Sequence, residues 1–506
     1  MKLSLSAQGL RLFVVRRGVH AILVAGCLSG VVLRAQAPGR EALEKQVQLL
    51  TDAVNRAQDQ LQQSQRQLNE LRRQLDDVRR QMNGGADDPP EPSDAQQLAS
   101  QVEALKEEQA MEQSEIATHE QSKVESESKY PVRVSGLILL NGFVNTSQVD
   151  MAATPTTAEP GPGSSGATMR QTVLGVEANG PHVFGASTHG DLSTDFFGTT
   201  GGEAEGGTTL GLLRLRTAHA ALDWASTRLF FSLDRPMINA TQPSSLTAVA
   251  IPPLAWSGNL WTWNPQIGVR YDRRLSPRER LRMQAALIDV ADPPYGAASE
   301  AGAAYPASTV ELGRWPGVQA RLAVVGGPED RGSQLGAGGY FSEHHTTYGN
   351  KFDSWAGTLD YRQPLPERLE LSGNFYRGLA LGGLGGGAYK DFGVRADLDR
   401  PGEFYIRPFD DVGGWAQMKE RATERLELNG AYGIDNVPGR EISRYSGLAP
   451  GNYQTLARTQ TFMGNVIYSP SAWFLFSLEY RHLDSSYVGS PPAASHVIGV
   501  AAGYKF

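Results

Sequence analysis

The sequence predicts an all-β transmembrane barrel of about 16 antiparallel strands over residues 131–506, preceded by an α-helical coiled coil. Three observations predict it. Short and long connections alternate through the whole second part of the chain. The segments between them include several that alternate apolar and polar residues with period 2, as a strand with one greasy face does. The chain also ends on such a segment: Ile498, Val500, Ala502, Tyr504 and Phe506 share one face, and Val497, Gly499, Ala501, Gly503 and Lys505 the other.

Composition leaves the class open but removes one option. The 506 residues carry 20% charged side chains and a formal charge of −7, which suits soluble and membrane proteins alike. After the N-terminus there is no apolar run of about 20 residues, so a bundle of membrane-spanning helices is excluded. A mean hydropathy of −0.34 is compatible with a barrel, because only every second strand residue faces lipid. No nucleic-acid partner, cofactor or metal is expected.

Residues 1–37 read as a secretory signal. Arg11, Arg16 and Arg17 form the basic start, residues 18–33 the apolar stretch, and Ala35-Gln36-Ala37 the small-x-small cleavage pattern. Val24-Ala25-Gly26-Cys27 offers a competing lipoprotein cleavage box, although residues 28–33 stay apolar where a mature lipoprotein turns polar. Arg16-Arg17 lacks the flanks of a twin-arginine signal. Cleavage after residue 37 leaves a mature chain without cysteine, so neither disulfide nor thiolate metal site is available.

Residues 38–83 carry a heptad seam. Leu43, Val47, Leu50, Val54, Ala57, Leu61, Ser64, Leu68, Leu71, Leu75, Val78 and Met82 follow alternating steps of four and three. Such a narrow stripe is the a/d seam of a coiled coil, and a lone helix has nowhere to bury it except against another copy. At 1.5 Å per residue the segment spans about 60 Å. Residues 84–93, with Gly84-Gly85 and Pro89-Pro90, form a linker. Residues 94–130 predict a second, weaker helix: Leu98, Val102 and Leu105 hold the register, which decays into Gln109, Glu112 and His119.

From residue 132 the pattern changes to strands, expected at 132–146, 170–180, 184–196, 210–223, 227–235, 265–275, 280–290, 315–325, 333–343, 354–364, 367–378, 412–420, 424–435, 458–469, 472–482 and 496–506. Leu229, Phe231 and Leu233 oppose Arg228, Ser232 and Asp234, and Phe474, Phe476, Leu478 and Tyr480 oppose Ser477, Glu479 and Arg481. Short turns fall at 178–183, 224–226, 276–279, 326–332, 365–366, 421–423 and 470–471. Longer segments fall at 147–169, 197–209, 236–264, 291–314, 344–353, 379–411, 436–457 and 483–495. A soluble sandwich has no reason for that alternation, whereas an outer-membrane barrel has tight periplasmic turns and long external loops. An even strand count puts both ends, and hence the coiled coil, in the periplasm; 18 strands is the nearest alternative. Trp224, Trp315, Trp355, Tyr361, Trp473, Tyr480 and Tyr504 lie near strand ends, as interfacial girdles or as ordinary core.

A barrel of this size leaves an aqueous interior, so inward side chains decide what passes. By parity Arg214, Arg216, Arg228, Arg270, Arg280, Arg282 and Arg321 point inward from the fourth to eighth strands. Asp360, Glu370, Glu427 and Glu479 point inward from the tenth to fifteenth. Basic residues on one wall and acidic ones opposite would set up a transverse field; the alternative is that they pair along the wall. The long connection 236–264 is unusually apolar, with Leu246, Val249, Ile251, Leu254, Trp256, Leu260, Trp261 and Trp263. It reads either as a segment folded into the lumen or as a subunit interface.

Catalytic signals are weak. His344-His345 after Glu343 lacks a third metal ligand and suits an exposed loop; Gly163-Ser164-Ser165-Gly166 reads as a flexible loop; and the glycines of 382–387 are followed by no phosphate-loop Lys-Ser/Thr. No catalytic or metal residues are expected.

Signal, coiled coil, linker, the strand Val132-Arg133-Val134-Ser135-Gly136-Leu137-Ile138-Leu139-Leu140-Asn141 and a 16-strand barrel ending in Phe506 together resemble the DcaP-like trimeric porins. The resemblance covers the overall plan and the two chain ends. It implies a homotrimer, a terminal Phe506 read by the barrel-assembly machinery, contact with outer-membrane lipid, and a lumen-folded loop after the fifth strand that constricts the channel. The inward arginines, not the resemblance, give the expectation that it passes small anionic solutes. An outer-membrane barrel hydrolase, or a tether between outer membrane and cell wall, is the alternative.

Overall fold

The computed structural model describes residues 131–506 apart from 199–210, 295–306, 328–331, 401–402 and 446–452 and the single residues 348, 367 and 398; of the preceding chain it describes only Lys123–Val124. The signal, the coiled coil and the linker therefore lie outside the described residues. So does the second helix, except that Lys123–Val124 form a two-residue strand, β1, paired with Arg133 and Val132 where helix is expected.

The barrel is built from β2 (Val132–Val149), β3 (Ala158–Thr168), β4 (Val173–Asn179), β5 (Ser187–Gly198), β6 (Leu212–Asp223), β7 (Thr227–Asp234), β8 (Asn264–Arg274), β9 (Glu279–Ile288), β10 (Gly317–Gly326), β11 (Ser333–His345), β12 (Lys351–Pro364) and β13 (Leu369–Leu379), continued by β16 (Asp410–Arg421), β17 (Leu426–Asn436), β18 (Leu456–Tyr468), β19 (Phe474–Tyr487) and β20 (Ala493–Lys505). A hairpin of β14 (Phe392–Ala396) and β15 (Phe404–Pro408) lies in the connection between β13 and β16. Each strand pairs antiparallel with its neighbour, and β20 closes on β2 from Leu137↔Lys505 to Asn145↔Val497. β3 and β4 pair with successive stretches of β2 and so share one strand position, which makes a closed barrel of 16 strands. Closure removes the open edges that hydrocarbon does not tolerate.

The outer surface follows the period-2 pattern. Ile498, Val500 and Tyr504 on β20, Phe474, Phe476 and Leu478 on β19, and Val318, Leu322 and Val324 on β10 are exposed, while the residues between them are mostly buried. That apolar band is the lipid-contacting surface of a membrane barrel. Trp224, Trp315, Trp355, Tyr361 and Tyr504 are exposed near strand ends, as a girdle requires, whereas Tyr480 is exposed at the middle of β19, which runs on to Tyr487. At the chain end Gly136 N donates to Phe506 O at 2.9 Å and Phe506 N to Gly136 O at 3.1 Å, which pins the terminal residue to the first barrel strand.

Three expectations change. The 147–169 connection holds β3, so Gly163-Ser164-Ser165-Gly166 lies on a strand rather than in a loop; a run of glycine and serine gives no hydrophobic alternation to read. The second strand is interrupted at residues 169–172, where Thr172 Oγ1 replaces the missing ladder partner of Leu139 N at 3.1 Å. His344 is on β11 and buried: its ring nitrogens lie 2.7 Å from Ser342 Oγ and 2.8 Å from Thr309 Oγ1, and it stacks on Phe352. Thr309 comes from α1 (Thr309–Leu312), a single turn capped by Ser308; a second short helix, α2 (Gly439–Tyr445), lies in the β17–β18 connection.

Candidate functional site

The segment 236–264 leaves the top of β7 and crosses the interior. Met237 N donates to Gln319 Oε1 on β10 at 2.9 Å, and Ile238 O accepts from Thr358 Oγ1 on β12 at 2.9 Å. Ser244 N donates to Gln417 Oε1 on β16 at 2.7 Å, and Ser244 O accepts from Asn465 Nδ2 on β18 at 2.8 Å. Leu246 O accepts from Asn141 Nδ2 on β2 at 2.9 Å. Gln171, freed from the ladder by the break between β3 and β4, accepts from Val249 N at 2.7 Å and donates to Thr247 O at 2.9 Å. On β6, Arg214 donates to Ala250 O and Arg216 to Val249 O, each at 2.9 Å. Wall side chains from all round the barrel thus satisfy backbone groups of a largely buried loop.

The return pass packs even closer. Ser257 Oγ meets Thr461 Oγ1 at 3.0 Å, and Thr459 Oγ1 donates to Trp256 O. Gly258 has φ +97° and lies against Gly414 O, while a Cβ on Gly433 would overlap Ser257 O. Glycine at 258 and 433 is what allows two backbones to touch here. Ile251, Trp256 and Trp261 are buried in one cluster with Trp263 packed on it; Leu246 and Val249 are half-buried. The structure places all of these loop residues inside the barrel.

Other connections join this plug. Trp256 stacks on Tyr389 with centroids 4.1 Å apart, and Tyr389 on Tyr453 at 4.0 Å. Tyr389 Oη also donates to Asp150 Oδ2 at 3.1 Å. The glycines of 382–387 form tight turns leading to Lys390. Fully buried, Lys390 Nζ donates to Ala388 O and Tyr453 O at 2.7 Å and to Leu456 O at 2.6 Å. Burial pushes its amine down to about 7, against the opposing pull of Asp435 and Asp411.

Below the first pass of the loop a cavity of about 450 Å³ stays open, lined by Arg228, Arg235, Arg270, Arg282, Arg321 and Arg362 together with His189, Asp191, His219 and Asp234. Four of the seven expected arginines, Arg228, Arg270, Arg282 and Arg321, are thus brought together here, whereas Arg214, Arg216 and Arg280 lie outside this lining; all seven have company. Arg214 pairs with Asp195 at 2.6 Å, and Arg216 lies 3.6 Å from the same carboxylate. Arg228 pairs with Asp223. Arg282, Arg270 and Arg280 share Asp272 at 2.9, 3.8 and 3.8 Å. Arg321 pairs with Asp360 at 2.6 Å, both almost fully buried.

The expected wall-against-wall separation of charge is therefore corrected. Asp360 sits within reach of Arg321, because β11 between their strands carries Gly336 at that level and leaves the side chains free to meet over it. Glu427 pairs with Lys419 at 3.3 Å, Glu370 with Arg421 at 3.8 Å, and Glu479 with Arg481 at 3.0 Å. Glu479 also accepts from Asn465 and from Thr247 of the loop. Each of these side chains has an oppositely charged neighbour, which lowers the cost of holding it away from bulk water. Three arginines around the single Asp272, and two around Asp195, leave positive charge over.

Two groups were not read from the sequence. His219 lies 2.8 Å from Asp191 and 3.2 Å from Asp234, and His189 3.2 Å from Asp191. The alternate residues Ser187, His189, Asp191, Ser193 and Asp195 form a wholly polar face of β5, a period-2 signal that was there to find. Arg214 and Arg216 lie over the Trp263 ring at 4.9 and 5.3 Å, a cation–π contact that no spacing announces.

No family model matches the chain, and no curated relative does. Among solved structures, the outer membrane channel DcaP of Acinetobacter baumannii aligns over 76% of this chain and 100% of its own, with 15% identity and a TM-score of 0.57. The anion-selective porin from Comamonas acidovorans aligns over 75% and 100% with 11% identity and a TM-score of 0.46, and Salmonella typhi OmpF over 74% and 98% with 12% identity and a TM-score of 0.44. The fold is that of the bacterial outer-membrane porin barrels.

Proposed function

We propose that this chain is an outer-membrane porin whose lumen, narrowed by the 236–264 loop, passes small anionic solutes, and that it works as a homotrimer with its coiled coil in the periplasm. One observation carries the selectivity reading: the open cavity beside the loop is lined by six arginines and two aspartates. Formal charge over the whole chain is −7, but a permeating ion feels charges within about 8 Å at physiological salt. Guanidinium forks suit carboxylate and phosphate oxygens. Arg214 and Arg216 stand where the loop meets the wall, so a solute passing Trp263 passes them too.

The test is the zero-current potential of the purified protein across a salt gradient, for wild type and for Arg216→Ala combined with Arg270→Ala. Anion preference that falls in the double variant is the expected result. Cation preference in the wild type, or no shift in the variant, would assign these arginines to wall structure alone.

A further inference from the structure

We propose that the turn between β8 and β9 is a binding site for the anionic headgroup of a phospholipid in the leaflet at the Phe506 end of the barrel. The proposal rests on the membrane placement of the barrel and is independent of its ion selectivity. Arg273, Arg274 and Arg278 are exposed around this turn. Among the described residues none of the three side chains has an ion-pair or hydrogen-bond partner. Of the two carboxylates beside these arginines, Asp272 is already taken, accepting from Arg282 at 2.9 Å. Glu279 is left facing Ser276 Oγ at 3.4 Å.

Geometry points outward rather than into the pore. On β8 the lipid-facing positions are Ile267, Val269 and Tyr271, all exposed, and Arg273 is the next residue on that same face. Leu275, 52% exposed, follows at the turn. A column of aliphatic residues ending in tyrosine and then arginine matches an acyl chain ending in a phosphate. Arg273, Arg274, Arg278 and Arg280 line a recess of about 790 Å³ at the rim, together with Tyr271 and with the carboxylates Asp272 and Glu279, so four guanidinium groups face two carboxylates there. The recess is large enough for a headgroup, and several guanidinium forks in it can take a phosphate through paired hydrogen bonds. The flanking turn on one side, Trp224-Ala225-Ser226, carries no charge, so the patch is local to this turn.

The experiment is native mass spectrometry of the full-length protein in detergent, titrated separately with phosphatidylglycerol and with phosphatidylcholine of the same acyl chains. It compares wild type, Arg273→Gln with Arg278→Gln, and Arg368→Gln at a different turn of the same rim. Wild type is expected to retain phosphatidylglycerol at activation energies that strip phosphatidylcholine. The double variant should lose that retention about tenfold while Arg368→Gln keeps it, with single-channel conductance unchanged to show that the barrel is intact. Equal retention of the two lipids by wild type would overturn the proposal, as would undiminished retention in the double variant or an equal loss in Arg368→Gln. A double variant that keeps the lipid but alters ion selectivity would place these arginines at the pore mouth and overturn it as well.

Discussion

Arg214 on β6 grips Asp195 on β5 with both prongs of its guanidinium, Nη2 to Oδ2 at 2.6 Å and Nε to Oδ1 at 3.1 Å, and the same Nη2 holds Ala250 O of the crossing loop at 2.9 Å. One side chain therefore sets the local charge and the position of the loop together. Replacing Asp195 by Asn removes the carboxylate that Arg214 and Arg216 share. The expected outcome is a stronger anion preference in zero-current potential measurements. Breaking a buried pair also costs about 3–5 kcal/mol, so the variant should unfold at lower denaturant than wild type.

Gly433 is the place where the wall yields to the loop, since a side chain there would overlap Ser257 O. Gly433→Val should push the loop off β17 and cost about 1–3 kcal/mol by overpacking. Single-channel conductance should rise, and removing part of residues 244–257 should raise it further. Unchanged conductance in a correctly inserted deletion would refute constriction by this loop.

Lys390 ties the β13–β16 connection to Tyr453 O of the β17–β18 connection and to Leu456 O at the start of β18, and also donates to Ala388 O of its own connection. Its amine is lowered from an ordinary 10.5 to about 7 in the packed state. Between those two values the detached loop binds more protons than the packed one, so packing strengthens as pH rises and weakens as pH falls toward 7. Opening fluctuations in single-channel records should be more frequent at pH 7 than at pH 9.5. Lys390→Met should abolish that difference.

Removing residues 38–83 should leave a barrel that still inserts but assembles less firmly, because the narrow heptad seam read from the sequence is expected to bury itself against another copy. Native mass measurement of the full-length protein and of the truncated one decides this: a monomeric full-length protein would rule out the trimer.

Most of the barrel was legible because each membrane strand must bury no backbone group unpaired and must grease one face only, and those demands write a period into the sequence. β19, with Phe474, Phe476, Leu478 and Tyr480 outward, is the clearest case. β3 was not legible, since Gly161 to Gly166 offers no greasy face to count. The site was half legible. Parity found the inward arginines, but pairing is decided by register between strands remote in sequence, as Arg321 and Asp360 show at a separation of 39 residues. Lys390 carried no local signal at all: two of its three carbonyl partners, Tyr453 and the first residue of β18, Leu456, are more than 60 residues away in sequence.

The walls of this barrel hold the crossing loop mainly by its main chain. Asn141, Gln171, Arg214, Arg216, Gln319, Thr358, Gln417 and Asn465 all bond to backbone amides or carbonyls of the loop. Every residue type presents those same groups, so the mount is indifferent to which side chains the loop carries. Aperture and docking are thereby uncoupled: half-exposed positions such as Leu246, Val249 and Trp263 can change over generations, or at a bench, and re-tailor the opening while the frame that holds it stays as it is.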